Sequence, residues 1–160
     1  MSTIERAKTD PMAQFWDEID GVHMVMLGSP DHAQHMQPMA PREENAIWFY
    51  TRTTTDIARA AKDGGVVHMC LVTDNYQACV DGTLLQVHSP EHIDRYWNSM
   101  VEAWFPLGKA DPELTMLRFT PRSAAIWAST SSKLGLGWEI AKAITTGEEP
   151  DVGFLTNILF

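Results

Sequence analysis

Two apolar runs, Val66 to Thr73 and Tyr76 to Val87, meet at the dipeptide Asp74-Asn75. Aspartate and asparagine tolerate the backbone of a tight turn, and the flanking residues are rich in valine, threonine and other strand formers. The segment therefore predicts an antiparallel pair folded about a two-residue turn. Partners in such a hairpin stand at equal distances from the turn, so Cys70 faces Cys79. Counting outward, that pair falls at a non-hydrogen-bonded position, where side chains lie closest. A disulfide there would be strained, and the reading adopted is two buried thiols.

The remaining segments are consistent with more antiparallel strands and a few helices. Asp10-Pro11 reads as an N-cap with proline in the first turn, and Phe15, Trp16 and Ile19 continue a short amphipathic helix to Gly21. Val22 to Leu27 and His32 to Ala40 read as strands joined by the turn Ser29-Pro30-Asp31. After the charged loop Arg42 to Asn45, the run Ala46 to Thr51 is a buried strand. Thr53, Thr54 and Thr55 precede a short helix from Asp56 to Lys62. Ser89-Pro90 starts another helix, whose Ile93, Tyr96, Trp97, Met100 and Val101 share one side. Leu114 to Thr120 and Ala124 to Ala128 are further strands, Trp138 to Thr146 is a helix, and Gly147 to Phe160 is a tail with an apolar end. There is no βαβ rhythm and no internal repeat. The prediction is a mainly β (α+β) fold, a six-stranded antiparallel split barrel with peripheral helices. Residues 1–160 form one domain, with 129–160 as its C-terminal helix and tail.

The charge balance narrows the partners. Twelve lysines and arginines against 21 acidic residues give a net charge of −9, which repels phosphate backbones and argues against nucleic acid. No window reaches the roughly 20 apolar residues of a membrane helix. The polar N-terminus lacks the apolar stretch of a secretory signal, and the two cysteines and nine methionines suit a reducing cytoplasm.

Metal and nucleophile signatures are missing. His32 and His35 sit three apart on a predicted strand and so point to opposite faces, and His88 and His92 straddle a helix start. Gly135-Leu136-Gly137 is too short for a dinucleotide loop. No metal site is expected, and no acid, base or nucleophile stands out as catalytic. The threonine run is the best anion candidate, because the first N–H groups of a helix attract phosphate; plain capping of the helix explains the same residues.

The segment Trp104-Phe105-Pro106-Leu107-Gly108-Lys109-Ala110-Asp111-Pro112 stands apart. Its prolines and glycine restrict the backbone, and its large flat side chains suit stacking on a planar ligand or a partner subunit. Followed by Leu117-Arg118-Phe119 and Trp127, it resembles the general stress protein branch of the pyridoxamine 5'-phosphate oxidase-like, FMN-binding split-barrel family. The resemblance runs from Phe15-Trp16 through Trp127.

That resemblance implies a homodimer with FMN between the subunits, acting as a flavin-dependent oxidoreductase. Its Arg-Pro-Met strand reads Gln37-Pro38-Met39 here, its Trp-Phe-Phe/Tyr-Thr strand reads Trp48-Phe49-Tyr50-Thr51, and its Ser-x-Lys helix start reads Thr55-Asp56-Ile57. The implied cofactor residues are Gln37, Pro38, Met39, Phe49, Tyr50, Thr51, Thr54, Thr55, Gln77, Trp104 and Trp127. Gln37 and Ile57 replace an arginine and a lysine. Each lost charge-assisted contact forfeits about 1–2 kcal/mol, and together they weaken FMN roughly 10²-fold unless Arg52 or Arg59 substitutes. The alternative reading is a degenerate split barrel that has lost flavin and serves as a binding protein.

Overall fold

A computed structural model of the chain describes residues 1–28, 32–130 and 132–160. The predicted turn Ser29-Pro30-Asp31 lies outside the described residues. The chain opens with two helices, α1 (Thr3–Thr9) and α2 (Pro11–Asp20). Sequence reading missed α1 because its residues are polar; Ser2 and Glu5 start it as a reciprocal capping box. Asp10 then caps α2 and Gly21 ends it.

Among the described residues, seven strands form one antiparallel sheet. They are β1 (Val25–Gly28), β2 (Ala33–Met36), β3 (Ile47–Arg52), β4 (Gly65–Val72), β5 (Tyr76–Val87), β6 (Leu114–Ser129) and β7 (Gly153–Leu159). Six follow the order β2-β1-β4-β5-β6-β3, and β7 pairs with β6. Past the end of β2, Met39 exchanges both backbone hydrogen bonds with Trp48 of β3, at 2.9 and 2.8 Å. That bridge returns the last strand to the first and nearly closes a six-stranded barrel. Pro38, which has no N–H to give, separates the bridge from β2 proper, so the predicted strand His32 to Ala40 is shorter than expected.

The hairpin register is as the turn predicts, with Cys70 opposite Cys79 and His68 opposite Asp81. The thiols, however, are free and not buried: Cys79 is exposed and Cys70 half-buried. Among the described residues nothing covers the outward face of β4 and β5, which corrects the expectation of two buried thiols.

The two strands expected at Leu114 to Thr120 and Ala124 to Ala128 are a single strand, β6. Its register against β5 shifts at Asp81/Gly82, where Gly82 faces Pro121 and Asp81 faces Ser123. Arg122 is the extra residue, and the bulge swaps the inward positions from Leu117 and Phe119 to Ala124 and Ile126. Gly82 is needed there, since a Cβ would meet the Phe119 ring at 2.4 Å and the Thr120 carbonyl at 2.5 Å. Along its other edge β6 carries β3 on its first half and β7 on its second. The tail was therefore expected wrongly: it contains a strand, and the helix before it, α6 (Lys133–Thr146), starts earlier than predicted.

The barrel interior is filled by Leu27, Ile47, Phe49, Met69, Leu71, Tyr76, Val80, Leu84, Phe119 and Ile126, closed at one end by Phe15, Trp16 and Ile19 of α2. A second cluster covers the opposite face of β3, where Trp48 and Tyr50 pack against α4 (Pro90–Tyr96) and α5 (Ser99–Trp104). These are two helices, not the single one predicted. Asn98 accepts from the N–H groups of Met100 and Val101 and starts a new helix, leaving Trp97 extended and Met100 exposed.

Candidate functional site

Strand alternation divides the predicted site residues. Phe49 and Thr51 face inward with the barrel core, while Tyr50 faces the outer cluster and donates its hydroxyl to the Ile93 carbonyl at 2.6 Å. Burial raises the Tyr50 hydroxyl pKa above its ordinary value of 10, so it stays a neutral donor. Phe49 is fully buried and acts as core.

At the end of β3 the hydroxyls of Thr51 and Thr55 lie 3.1 Å apart. Thr55 also caps α3 (Asp56–Ala60), accepting from the Ala58 N–H at 3.3 Å, and donates to the Arg52 carbonyl. Thr54 is exposed beside it. The capping reading of the threonine run is thus realised at Thr55; because Thr55 donates to Arg52, the buried Thr51 hydroxyl donates to Thr55, and Thr54 is left exposed at the same point.

The tryptophan loop is held by an ion pair that sequence reading did not find. Arg52 donates to Asp111 at 3.0 Å, to Glu113 at 3.4 Å and to the Trp104 carbonyl at 2.9 Å, and its guanidinium lies 4.9 Å from the centre of the Phe105 ring. Asp111 is only 5% exposed. Gly108, at φ 67°, makes the turn that returns the chain to β6. Phe105 is buried as the anchor, whereas Trp104 projects outward, 73% exposed. Arg59, the other candidate phosphate ligand, pairs with Asp56 at 2.5 Å and bonds the Thr54 carbonyl at 2.6 Å. Both arginines are therefore engaged by carboxylates.

Gln77 and Trp127 lie elsewhere. They are cross-strand partners on β5 and β6, and the Gln77 amide donates to the Thr73 carbonyl at 2.9 Å. Trp127 is 42% exposed and rests on Gly153, where a Cβ would come within 2.1 Å of the indole. Thr51 pairs with Thr115 at the opposite end of the same strand. At about 3.3 Å per residue, the two groups are separated by roughly 40 Å of strand path. One chain does not bring its predicted site residues together.

The residue types are those that a planar ligand with a polar edge would meet, but one chain disperses them: exposed indoles at Trp104 and Trp127, amides at Gln37 and Gln77, and the exposed Thr54 hydroxyl, with the Thr51 and Thr55 hydroxyls bonded to each other and to Arg52. For a phosphate the exposed Thr54 hydroxyl is at hand, with both nearby guanidinium groups already shared with carboxylates. A cavity of about 450 Å³ is lined by the start of α1, the end of β6 and α6, but none of the predicted residues reaches it and its charged side chains are the carboxylates Glu139 and Asp151. Among the described residues there is no group of three or more His, Cys, Asp or Glu side chains able to hold a metal, and no helix long and apolar enough to cross a membrane.

A nearly closed antiparallel barrel with helices on its outer face is the split-barrel architecture, and the comparisons agree. Residues 10–151 match the family described as pyridoxamine 5'-phosphate oxidase like, so the chain belongs to that family. A candidate general stress protein 26 from Jannaschia sp. CCS1 is 31% identical, with TM-score 0.81 over 94% of this chain and 99% of that one. The general stress FMN/FAD binding protein of Xanthomonas citri is 30% identical, with TM-score 0.69 over 74% and 89%. A general stress protein 26-related protein from Clostridium acetobutylicum, 21% identical with TM-score 0.62 over 72% and 87%, shares the fold. These likenesses lie in the general stress branch of the family. No curated protein matches the chain.

Proposed function

We propose that two copies of this chain form a cytoplasmic homodimer that holds a flavin of the FMN class between them and works as a general stress oxidoreductase. The observation that carries this reading is the division of the site between the two ends of β6. A two-fold axis across the sheet puts Gln77 and Trp127 of one copy against Thr51, Thr54, Thr55 and Trp104 of the other. Exposed apolar side chains supply the contact surface: Leu155 and Leu159 on β7, and Leu134, Trp138 and Ile144 on α6. The Xanthomonas relative, named for FMN/FAD binding, supports the ligand class.

Bound flavin supplies the electron transfer, and the protein supplies shape and polar contacts. When bound, the flavin would be walled by Trp104 and Trp127, met at its polar edge by Gln37 and Gln77, and met at its ribityl and phosphate by Thr51, Thr54 and Thr55. Pro38 and Met39 position that edge through the bridge to Trp48, with Phe49 and Tyr50 supporting the strand from its two faces.

Freshly purified protein is expected to show the flavin visible bands, or to bind added FMN with a rise in melting temperature. At a hundredfold excess over Kd that rise corresponds to about 2.7 kcal/mol. Colourless protein whose melting point FMN leaves unchanged refutes the reading. A specific observation favours the second reading, loss of flavin: Arg52 and Arg59 are both paired with carboxylates, beside Gln37 and Ile57. Gln37→Arg separates the two, strengthening FMN about tenfold in a functional site and doing nothing in a lost one.

A further inference from the structure

We propose that Cys70 and Cys79 form a reversible intrachain disulfide on reaction with a hydroperoxide. The two sulfurs lie 3.7 Å apart on the outward face of the β4–β5 hairpin, with the Cys70 thiol donating to the Cys79 sulfur. The Thr73 N–H bonds the Tyr76 carbonyl at 2.8 Å, which makes 73/76 a hydrogen-bonded pair. Alternating outward, Cys70 and Cys79 occupy a non-hydrogen-bonded pair, where Cα atoms stand about 4.5 Å apart. That is the lower edge of the disulfide range of roughly 4.4–6.8 Å. Rotating the two side chains brings the sulfurs to bonding distance without moving a strand. The tight spacing also makes the product easy to reduce, which distinguishes a regulatory bond from a structural one.

The two sulfurs have different surroundings. Cys79 is exposed, while Cys70 is half-buried and burial, with the neighbouring Cys79, pushes its thiol pKa up. Cys79, the more accessible sulfur, therefore reacts first. Its sulfur attacks one peroxide oxygen, forming an S–O bond and breaking O–O, and the other oxygen leaves and takes up a proton as water or alcohol. The Cys70 sulfur then attacks the Cys79 sulfur, forming S–S and expelling the second oxygen as water. Two thiols are oxidised and one peroxide is reduced. Both sulfurs belong to one chain, so closure requires no partner.

The test is to treat the whole protein with equimolar hydrogen peroxide, alkylate under denaturing conditions and measure intact and peptide masses. These are the chain's two cysteines, so the result is unambiguous. The expected result is loss of two hydrogens, neither thiol alkylated, a single 70–79 linked peptide, and full return of both thiols with dithiothreitol. In Cys70→Ser the reaction should stop at a sulfenic acid on Cys79, trapped by dimedone, and in Cys79→Ser it should slow at least tenfold. Two alkylatable thiols after treatment, linkage only between chains, or separate sulfinic acids without a linked peptide would each overturn the proposal.

Discussion

Arg52 ends β3 and reaches across to the tryptophan loop, where it meets the buried Asp111 carboxylate, the Trp104 carbonyl and the face of Phe105. Removing it leaves a nearly buried carboxylate unpaired, so Arg52→Ala should destabilise the protein by about 2–3 kcal/mol, reduced from the fully buried case because Arg52 itself is part-exposed. Urea unfolding measures this, and Arg52→Lys should recover only part of it because the forked geometry is lost. Glu44 organises the other end of the outer cluster. It accepts from Trp48 at 2.9 Å, from His92 at 3.2 Å and from Arg95 at 2.5 Å, with His92 stacked on Trp48. Burial pushes its pKa up, but these donors outweigh burial and hold it below its ordinary 4.5. A lowered carboxyl pKa gives stability that is complete above the unfolded value and is lost as pH falls through the folded one. The melting temperature should therefore drop below about pH 4.5, and Glu44→Gln should flatten that drop while lowering stability at neutral pH.

Strand β7 is the element whose contribution is easiest to isolate. It covers the second half of β6 and buries Ile158 in the core, while Phe160 stacks edge-on against Phe15 and Trp16. Ile158→Ala should cost about 2–4 kcal/mol in chemical denaturation, and an effect below about 1 kcal/mol would mean that β7 is peripheral. The hairpin, the capped α2 and the buried β3 were legible because each carries its own local signal: a two-residue turn, Asp10-Pro11, or a run of large apolar residues. β7 was not, since Gly153 to Leu159 opens on a glycine and has Thr156 and Asn157 between its apolar residues, leaving no local strand pattern. The bulge at Arg122 was hidden because Pro121 reads as a break, whereas here the long strand continues past it. The break at Trp97-Asn98 was overridden by apolar spacing, although asparagine is a good cap and its cue was present.

At the scale of the molecule, barrel class and family followed from motifs spread along the chain, and the structure and comparisons uphold both. The site was only partly legible. Residue types in Gln37-Pro38-Met39 and in Thr51 to Thr55 mark polar contacts, but their side of the strand and their competing partners depend on tertiary pairing. Arg52 exemplifies this, since Asp111 lies far along the chain. The exposed indoles stand apart in the chain, Trp104 at the end of α5 and Trp127 near the end of β6, and the proposed dimer is what would bring them together. Sedimentation velocity with detection in the flavin band, on micromolar protein mixed with FMN, tests dimer and cofactor at once. The account predicts that flavin absorbance moves with a species containing two 18.0 kDa chains. Protein sedimenting as a single chain, or flavin left behind unbound, would contradict it.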